Sequence, residues 1–232
     1  MHLAREEKWP SDERRDQCIS NFMAIRVITL EREYGAGGGA VAGKLASRLG
    51  WKLWDHALTE EIARRLDCDC RVVEQHEERR DAAYYRLFKA FMRGSFEGSL
   101  NAPRLKMVDT ECVREVVRKL LPEIANAGNC VIVGRGSAFY LGDRPDAFHV
   151  FVYAPFADRV RRLRAAGETE KDAMELAETV DRDRAAFTKR YFDADWAGRH
   201  HFHLMVNSGI GEEVAVEIIL DAVARFQKER AG

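Results

Sequence analysis

Residues 28–50 read ITLEREYGAGGGAVAGKLASRLG, and this stretch decides the fold. The β-forming apolar segment 25–30 leads into a glycine cluster at 35–39, after which Val41, Leu45 and Leu49 recur at helical spacing until Gly50. A glycine cluster between a strand and a helix lets backbone N–H groups converge on an anion at the helix N-terminus. The stretch therefore predicts a strand, a phosphate-binding loop and a helix. The alternative is that these glycines form only a tight turn.

Composition narrows the classes of protein to which the chain can belong. In 232 residues, 37 Lys and Arg nearly balance 38 Asp and Glu, so no overall field marks a nucleic-acid or membrane-surface binder. No apolar run approaches the roughly 18 residues that a membrane span needs, and residues 1–18 lack the apolar segment of a signal peptide. The five cysteines, an odd number, lack metal-ligand spacing; they are Cys18, Cys68, Cys70, Cys112 and Cys130. We expect a reduced, cytoplasmic protein.

The pattern of apolar segments predicts one α/β domain over residues 23–232, preceded by a flexible tail at 1–22. Near-continuous apolar runs are typical of strands covered on both faces in a parallel sheet. Five such strands are predicted at 25–30, 51–54, 130–133, 148–153 and 203–206. Between the second and third, a helical insert is expected at about 68–102, followed by a long amphipathic helix that ends before Gly128.

The loop departs from the P-loop pattern G-x-x-x-x-G-K-[ST], in which the lysine contacts the terminal phosphates and the hydroxyl binds magnesium. Gly38 stands where the lysine would be, and Gly39 and Ala40 replace the hydroxyl residues. Lys44 is no obvious replacement, because it lies more than a turn inside the helix. Arg32 is the better candidate to supply the positive charge.

A dinucleotide-binding site is a rival interpretation of the same loop. Gly35, Gly37 and Ala40 match G-x-G-x-x-A, and Asp55 follows about 20 residues later at the end of the second strand. In such a fold the third strand comes soon after the acidic residue, whereas here roughly 70 mostly helical residues intervene. An insert of this length suits a flap that binds a nucleoside monophosphate.

Two long segments resemble the cytidylate kinase-like family: residues 28–63, which begin ITLEREYGAGGG, and residues 128–164, which contain GNCVIVGRGSAF and APFADRVRRLR. Weaker likeness continues through ETVDRDRAAFTKRYF and LMVNSG, so the resemblance covers most of 23–223. It implies a three-layer P-loop nucleoside monophosphate kinase-like fold. It also implies ATP with Mg²⁺ as phosphoryl donor, CMP or dCMP as acceptor, and an arginine-rich lid, here at about 161–190.

The resemblance also assigns roles to particular residues. Arg135 matches the arginine of a Gly-Arg-Asp motif that faces the acceptor phosphate, although Gly136 replaces the aspartate. Arg161, Arg162 and Arg164 match the start of the lid, and Arg182, Asp183 and Arg184 match its return. We therefore expect Arg135, Arg182 and Arg184 to be catalytic. The expected nucleotide-binding residues are Arg32, Gly35, Ala36, Gly37, Gly38, Gly39 and Arg161.

Asp55, together with Arg135, is the expected acceptor-binding residue. It also fits a metal-bound water or a helix cap, and these alternatives stay open. His200, His201 and His203 lack an acidic or cysteine partner at ligand spacing and are interpreted as surface residues. Small-molecule nucleotides are the expected partners, with neither nucleic acid nor membrane. Because the P-loop lysine and hydroxyl are absent, a second hypothesis is a slow or inactive nucleotide- or phosphate-binding module that serves as a sensor or partner.

Overall fold

A five-stranded parallel sheet forms the centre of the computed structural model, which describes residues 24–69 and 110–231. Its strands are β1 (Val27–Arg32), β2 (Lys52–Trp54), β3 (Cys130–Val133), β4 (Ala147–Tyr153) and β5 (Leu204–Asn207). The predicted parallel sheet is confirmed. However, β1 begins two residues later than predicted and continues to Arg32, so Glu31 and Arg32 are strand residues.

The order of the strands is β2-β3-β1-β4-β5, which places β1 at the centre. Val27 pairs with Cys130 of β3 on one side and with Ala147 of β4 on the other. In the dinucleotide-binding order the first two strands are neighbours, which brings the acidic residue at the end of the second strand next to the glycine loop. Here β3 separates them, so the dinucleotide-binding interpretation is wrong.

Helices cover both faces of the sheet and make three layers. Those in the described residues are α1 (Gly38–Leu49), α2 (His56–Asp69), α3 (Thr110–Ala127), α4 (Ser137–Tyr140), α5 (Phe156–Ala165), α6 (Glu170–Phe192) and α7 (Glu212–Ala231). Leu45 of α1 and Ile219 of α7 are buried in one cluster with Ile28 and Val150 of the sheet. The opposite face packs against α2 and α3 around Ile132. The even residues of β1 thus face α1 and α7.

The predicted helices agree closely with the observed ones. The apolar face of α3 is buried as expected and carries Val113, Val116, Val117, Leu120, Leu121 and Ile124. Thr169 caps α6 by accepting the backbone N–H of Asp172 at 3.2 Å, and Pro155 immediately precedes α5. On α7, Val216 and Ile219 are buried, while Val214 and Ile218 are exposed.

The predicted lid at about 161–190 falls on α5 and α6, which form a helical hairpin joined by residues 166–169. The predicted tail at 1–22 and nearly all of the predicted insert at 68–102 lie outside the described residues. Within the described residues, Cys130 is a buried free thiol. In the ranges described, no helix is both long enough and apolar enough to cross a membrane.

Candidate functional site

The glycine loop joins β1 to α1 at the carboxyl edge of the sheet. Gly35 and Gly37 have φ values of 79° and 73°, in the left-handed region that favours glycine. Helix α1 has no side-chain cap, and its first described backbone bond runs from the N–H of Val41 to the carbonyl of Gly37. The N–H groups of the first turn have no intrahelical acceptor, so they present partial positive charge at the loop.

Arg32 occupies the space that a P-loop lysine would need. A Cβ on Gly38 would lie 2.7 Å from both Cβ and Cγ of Arg32, a distance that real Cβ contacts do not show. The guanidinium of Arg32 extends towards β3, since a Cβ on Gly134 would lie 2.1 Å from its Nη1. The packing of Arg32 therefore requires glycine at position 38. The positive charge beside the loop comes from Arg32 on β1 and not from a lysine on α1.

Three arginines from different elements are buried together at this edge. Arg32 ends β1, Arg135 follows β3 and Arg184 lies on α6; none is more than 5% exposed. Arg184 Nη1 donates to the backbone carbonyl of Arg32 at 2.8 Å. Burial, and next the charge of Arg32, lower the pKa of Arg135 to about 10 and that of Arg184 to about 9. The three guanidinium groups repel one another and form a local anion-attracting centre.

Carboxyl groups border this arginine cluster. Burial raises the pKa of Glu31 on β1, against the opposite effects of Arg32, of Arg184 and of a hydrogen bond with Trp196. Within the described residues, Oε1 of Glu31 is buried without a hydrogen-bond partner. Asp55, also buried, raises the pKa of Arg135 and so lies within its electrostatic range. The edge therefore combines cations with nearby carboxyl groups.

The backbone at Arg135 is strained in a way that fixes its side chain. Gly134, Arg135 and Gly136 have successive φ values of 67°, 60° and 66°, and such a conformation costs a non-glycine residue about 1 kcal/mol or more. Arg135 Nη2 donates to Thr59 Oγ1 on α2 at 2.6 Å. The turn and the threonine together direct the guanidinium into the site.

Helix α5 contributes a further arginine, Arg162, beside the glycine loop. Arg162 Nη2 donates to the carbonyl of Ser208 at 2.9 Å, and Ser208 Oγ donates to the carbonyl of Ala36 at 2.5 Å. A Cβ on Gly37 would lie 3.7 Å from Arg162 Nε. Arg161, the residue expected at the nucleotide, is instead exposed and paired with Asp158 at 2.7 Å.

The structure brings together some of the expected residues and not others. Arg32, Asp55, Arg135 and Arg184 converge with the glycine loop, whereas the side chain of Arg182 is exposed on α6. The described residues contain no cluster of three or more potential metal ligands. His200, His201 and His203 are all exposed, as expected for surface residues, and Nδ1 of His203 also accepts a hydrogen bond from the backbone N–H of His149.

Sequence reasoning missed several residues at the site, among them Thr59, Arg159, Asp181 and Ser208. Ser208 lies in the segment LMVNSG and Arg159 lies in ADRVRRLR, two stretches that carry the family resemblance. The roles of these residues depend on which helices and strands pack against each other. The local spacing of residues carries little information about such packing.

Comparison with known proteins agrees with this geometry. A family model, described as the cytidylate kinase-like family, matches residues 27–210. The crystal structure of an uncharacterized protein from Eubacterium ventriosum ATCC 27560 is similar, with a TM-score of 0.63 at 20% identity over 87% of this chain and 99% of that chain. A gluconokinase from Sinorhizobium meliloti 1021 has a TM-score of 0.50 at 10% identity, over 90% and 95% respectively. At such identities the likeness concerns the fold alone. No curated protein matches the sequence.

Proposed function

The chain belongs to the cytidylate kinase-like family, and from this premise we propose that it transfers the γ-phosphoryl group of ATP to a nucleoside monophosphate, with CMP or dCMP as the first candidates. One observation carries the proposal: three buried arginines, Arg32, Arg135 and Arg184, converge beside the glycine loop at the carboxyl edge of the sheet. Open α/β sheets bind their ligands at this edge.

Each arginine has a distinct task in this proposal. Phosphoryl transfer depends mainly on positioning and on neutralising charge, which guanidinium groups do well because their forked donors match phosphate oxygens. Arg32 and Arg184 would neutralise the transferring group next to the loop N–H groups. Arg135, on the side of Thr59 and Asp55, would hold the phosphate of the acceptor. The role of Arg182 stays a prediction.

In this proposal the base of ATP would lie where β4 and β5 end. Tyr153, Phe156 and Ile210 are partly exposed there, and Ser208 ties their segments to the loop by bonding both Ala36 and Tyr153. Flat heterocycles bind such apolar surfaces, and Arg162 beside Gly37 would contact the phosphates.

Magnesium would arrive with ATP. This ion is usually bound by one or two carboxylates together with substrate phosphates and water, and the buried carboxylate of Asp55 at the end of β2 fits that requirement. The missing P-loop hydroxyl removes one protein ligand. When bound, the ion would neutralise charge on the phosphates, and the arginines would orient them.

A second candidate is a nucleotide-binding module without turnover. The packing of Arg32 against Gly38 favours it, because a lysine cannot be accommodated at that position without a shift of the backbone. The two candidates differ only in whether a bound acceptor receives the phosphoryl group.

Calorimetric titration with Mg·ATP and then CMP, followed by an assay of ADP release in the same samples, tests the proposal. We expect acceptor-dependent release, and Arg135→Met to lower kcat by about 10²-fold. Arg225→Ala is the matched control, because Arg225 is exposed on α7 and pairs only with Asp221 among the described residues. Binding of Mg·ATP without ADP release, whichever nucleoside monophosphate is added, would establish the second candidate. Equal turnover by Arg135→Met and wild type would refute the assigned site.

A further inference from the structure

The α5–α6 hairpin is built around a residue of the glycine loop. Tyr34, directly before Gly35, is buried among apolar side chains of both helices; they are Val160, Leu163, Ala173, Ala177 and Val180. The loop therefore does not merely lie under the hairpin. One of its side chains is part of the hairpin's core.

Both backbone polar groups of Tyr34 are bound by side chains of the hairpin. Its N–H donates to Asp181 Oδ1 on α6 at 2.8 Å, and its carbonyl accepts from Arg159 Nη1 on α5 at 3.2 Å. These are the groups that would otherwise have to find water or a ligand as partner. The path of the chain into Gly35 is thus set by two charged residues distant in sequence.

Arg159 and Asp181 also bind each other, which makes the arrangement a closed clamp. Arg159 Nη1 donates to Asp181 Oδ2, and Arg159 Nε lies 3.5 Å from Glu33 Oε2. Glu33 in turn accepts the N–H of Ala154 at 3.0 Å, where β4 ends. The side chains of Arg159 and Asp181 are 10% and 15% exposed, so solvent screens the pair only weakly.

The approach of the loop to α5 is also close. A Cβ on Gly35 would lie 3.0 Å from the carbonyl oxygen of Arg159 and 3.2 Å from its Cβ. Gly35 therefore both adopts a left-handed conformation and fits against the helix that carries the arginine. The loop, α5 and α6 form one packed unit at this point.

We propose that Arg159 and Asp181 are positioning residues of the glycine loop: the clamp holds Glu33, Tyr34 and Gly35 against the hairpin, so that residues 37–40 face the nucleotide phosphates in their binding conformation. The inference rests on the proposed function for the identity of the ligand. It assigns Arg159 of α5 and Asp181 of α6 to the support of the nucleotide site.

The charges of the clamp matter more for position than for stability. A buried ion pair is often replaced by apolar side chains of similar size with little effect on folding, because desolvation offsets most of the attraction. Apolar residues, however, cannot bond the N–H and carbonyl of Tyr34. A charge-free replacement should therefore keep the fold and release the loop.

The test compares Arg159→Met/Asp181→Leu with wild type in the absence of ligand, by hydrogen exchange of the amides of residues 33–40. We expect the Tyr34 amide to exchange at least about tenfold faster in the variant, since it loses a bond to a charged acceptor. We also expect Mg·ATP to bind about tenfold more weakly. Glu178→Gln, an exposed change on the same helix, is the matched control and should match wild type in both measurements.

A conservative variant separates position from packing. Arg159→Lys keeps a cation that can bond Asp181, and we expect it to bind Mg·ATP more tightly than Arg159→Met. If the double variant does not fold, Asp181→Ala, which removes the acceptor of the Tyr34 N–H, replaces it in the same two measurements.

The outcomes distinguish this inference from the proposed function. Unchanged exchange of the Tyr34 amide in the double variant overturns the clamp whether or not ATP binds. Faster exchange with unchanged affinity for Mg·ATP overturns the positioning role. If wild-type protein binds no Mg·ATP, the proposed function fails, and the exchange experiment on the ligand-free chain still decides whether the clamp holds the loop.

Discussion

Replacing Gly38 should destabilise the protein, even though glycine is normally the poorest residue in a helix apart from proline. An alanine Cβ at this position would meet Cβ and Cγ of Arg32 at 2.7 Å and Leu30 Cδ2 at 3.3 Å. The first two atoms lie close to the backbone and cannot rotate away, so β1 or α1 must move. Overpacking of this kind costs about 1–3 kcal/mol, and alanine regains at most about 1 kcal/mol of helix propensity.

Gly43, on the same helix, provides the matched control. Nothing lies within 4 Å of a Cβ placed there, so Gly43→Ala should raise the free energy of unfolding by about 0.5–1 kcal/mol. Urea denaturation of both variants should therefore give shifts of opposite sign, with Gly38→Ala losing about 1–2 kcal/mol. Gly38→Lys, which restores the P-loop residue, should not raise turnover. Stabilisation by Gly38→Ala, or faster phosphoryl transfer by Gly38→Lys, would refute the idea that Arg32 occupies the position of the lysine.

Two further predictions concern groups packed against the sheet. Burial, and next the charge of His203, lower the pKa of His149 to about 4. Between pH 6.5 and pH 4 the unfolded chain therefore binds a proton at this histidine that the folded protein does not. The free energy of unfolding should fall by up to about 3 kcal/mol as the pH drops through this range. In His149→Gln the free energy of unfolding, measured by denaturation, should depend less steeply on pH over this range than in wild type. An equal pH dependence would contradict the lowered pKa of His149. Thr59→Val removes the acceptor for Arg135 Nη2 and should weaken CMP binding about tenfold while leaving Mg·ATP binding unchanged. Calorimetry checks both affinities, and an equal loss for the two ligands would show a general disturbance of the site.

Much of the fold could be predicted because its signals are local. The glycine loop and the apolar strands each depend on a few consecutive residues, and the sequence predicts both. Arg32 could be singled out for the same reason, since it directly precedes the loop. The start of β1 was placed too early because residues 25 and 27 are equally apolar, and only pairing with β3 decides where the strand begins.

The choice between neighbouring arginines depended on helix packing. Arg161 and Arg162 are adjacent, and burial of Val160 and Leu163 determines which of them faces the loop. On α6 a usable signal existed: Ala173, Ala177, Val180, Arg184 and Phe187 recur at spacings of three and four, which places Arg184 on the buried stripe and Arg182 off it. Applying that spacing would have distinguished the two.

The central place of β1 also constrains the order in which the protein can fold. Its partners begin at Cys130 and Ala147, more than a hundred residues downstream, and loop closure on that scale slows folding. During synthesis the glycine loop is made early, but the rest of the sheet, Arg135 after β3 and Arg184 on α6 are absent until most of the chain has left the ribosome. A nucleotide therefore cannot template this site. It can only stabilise a sheet that has already formed, and short fragments containing the loop should not bind it.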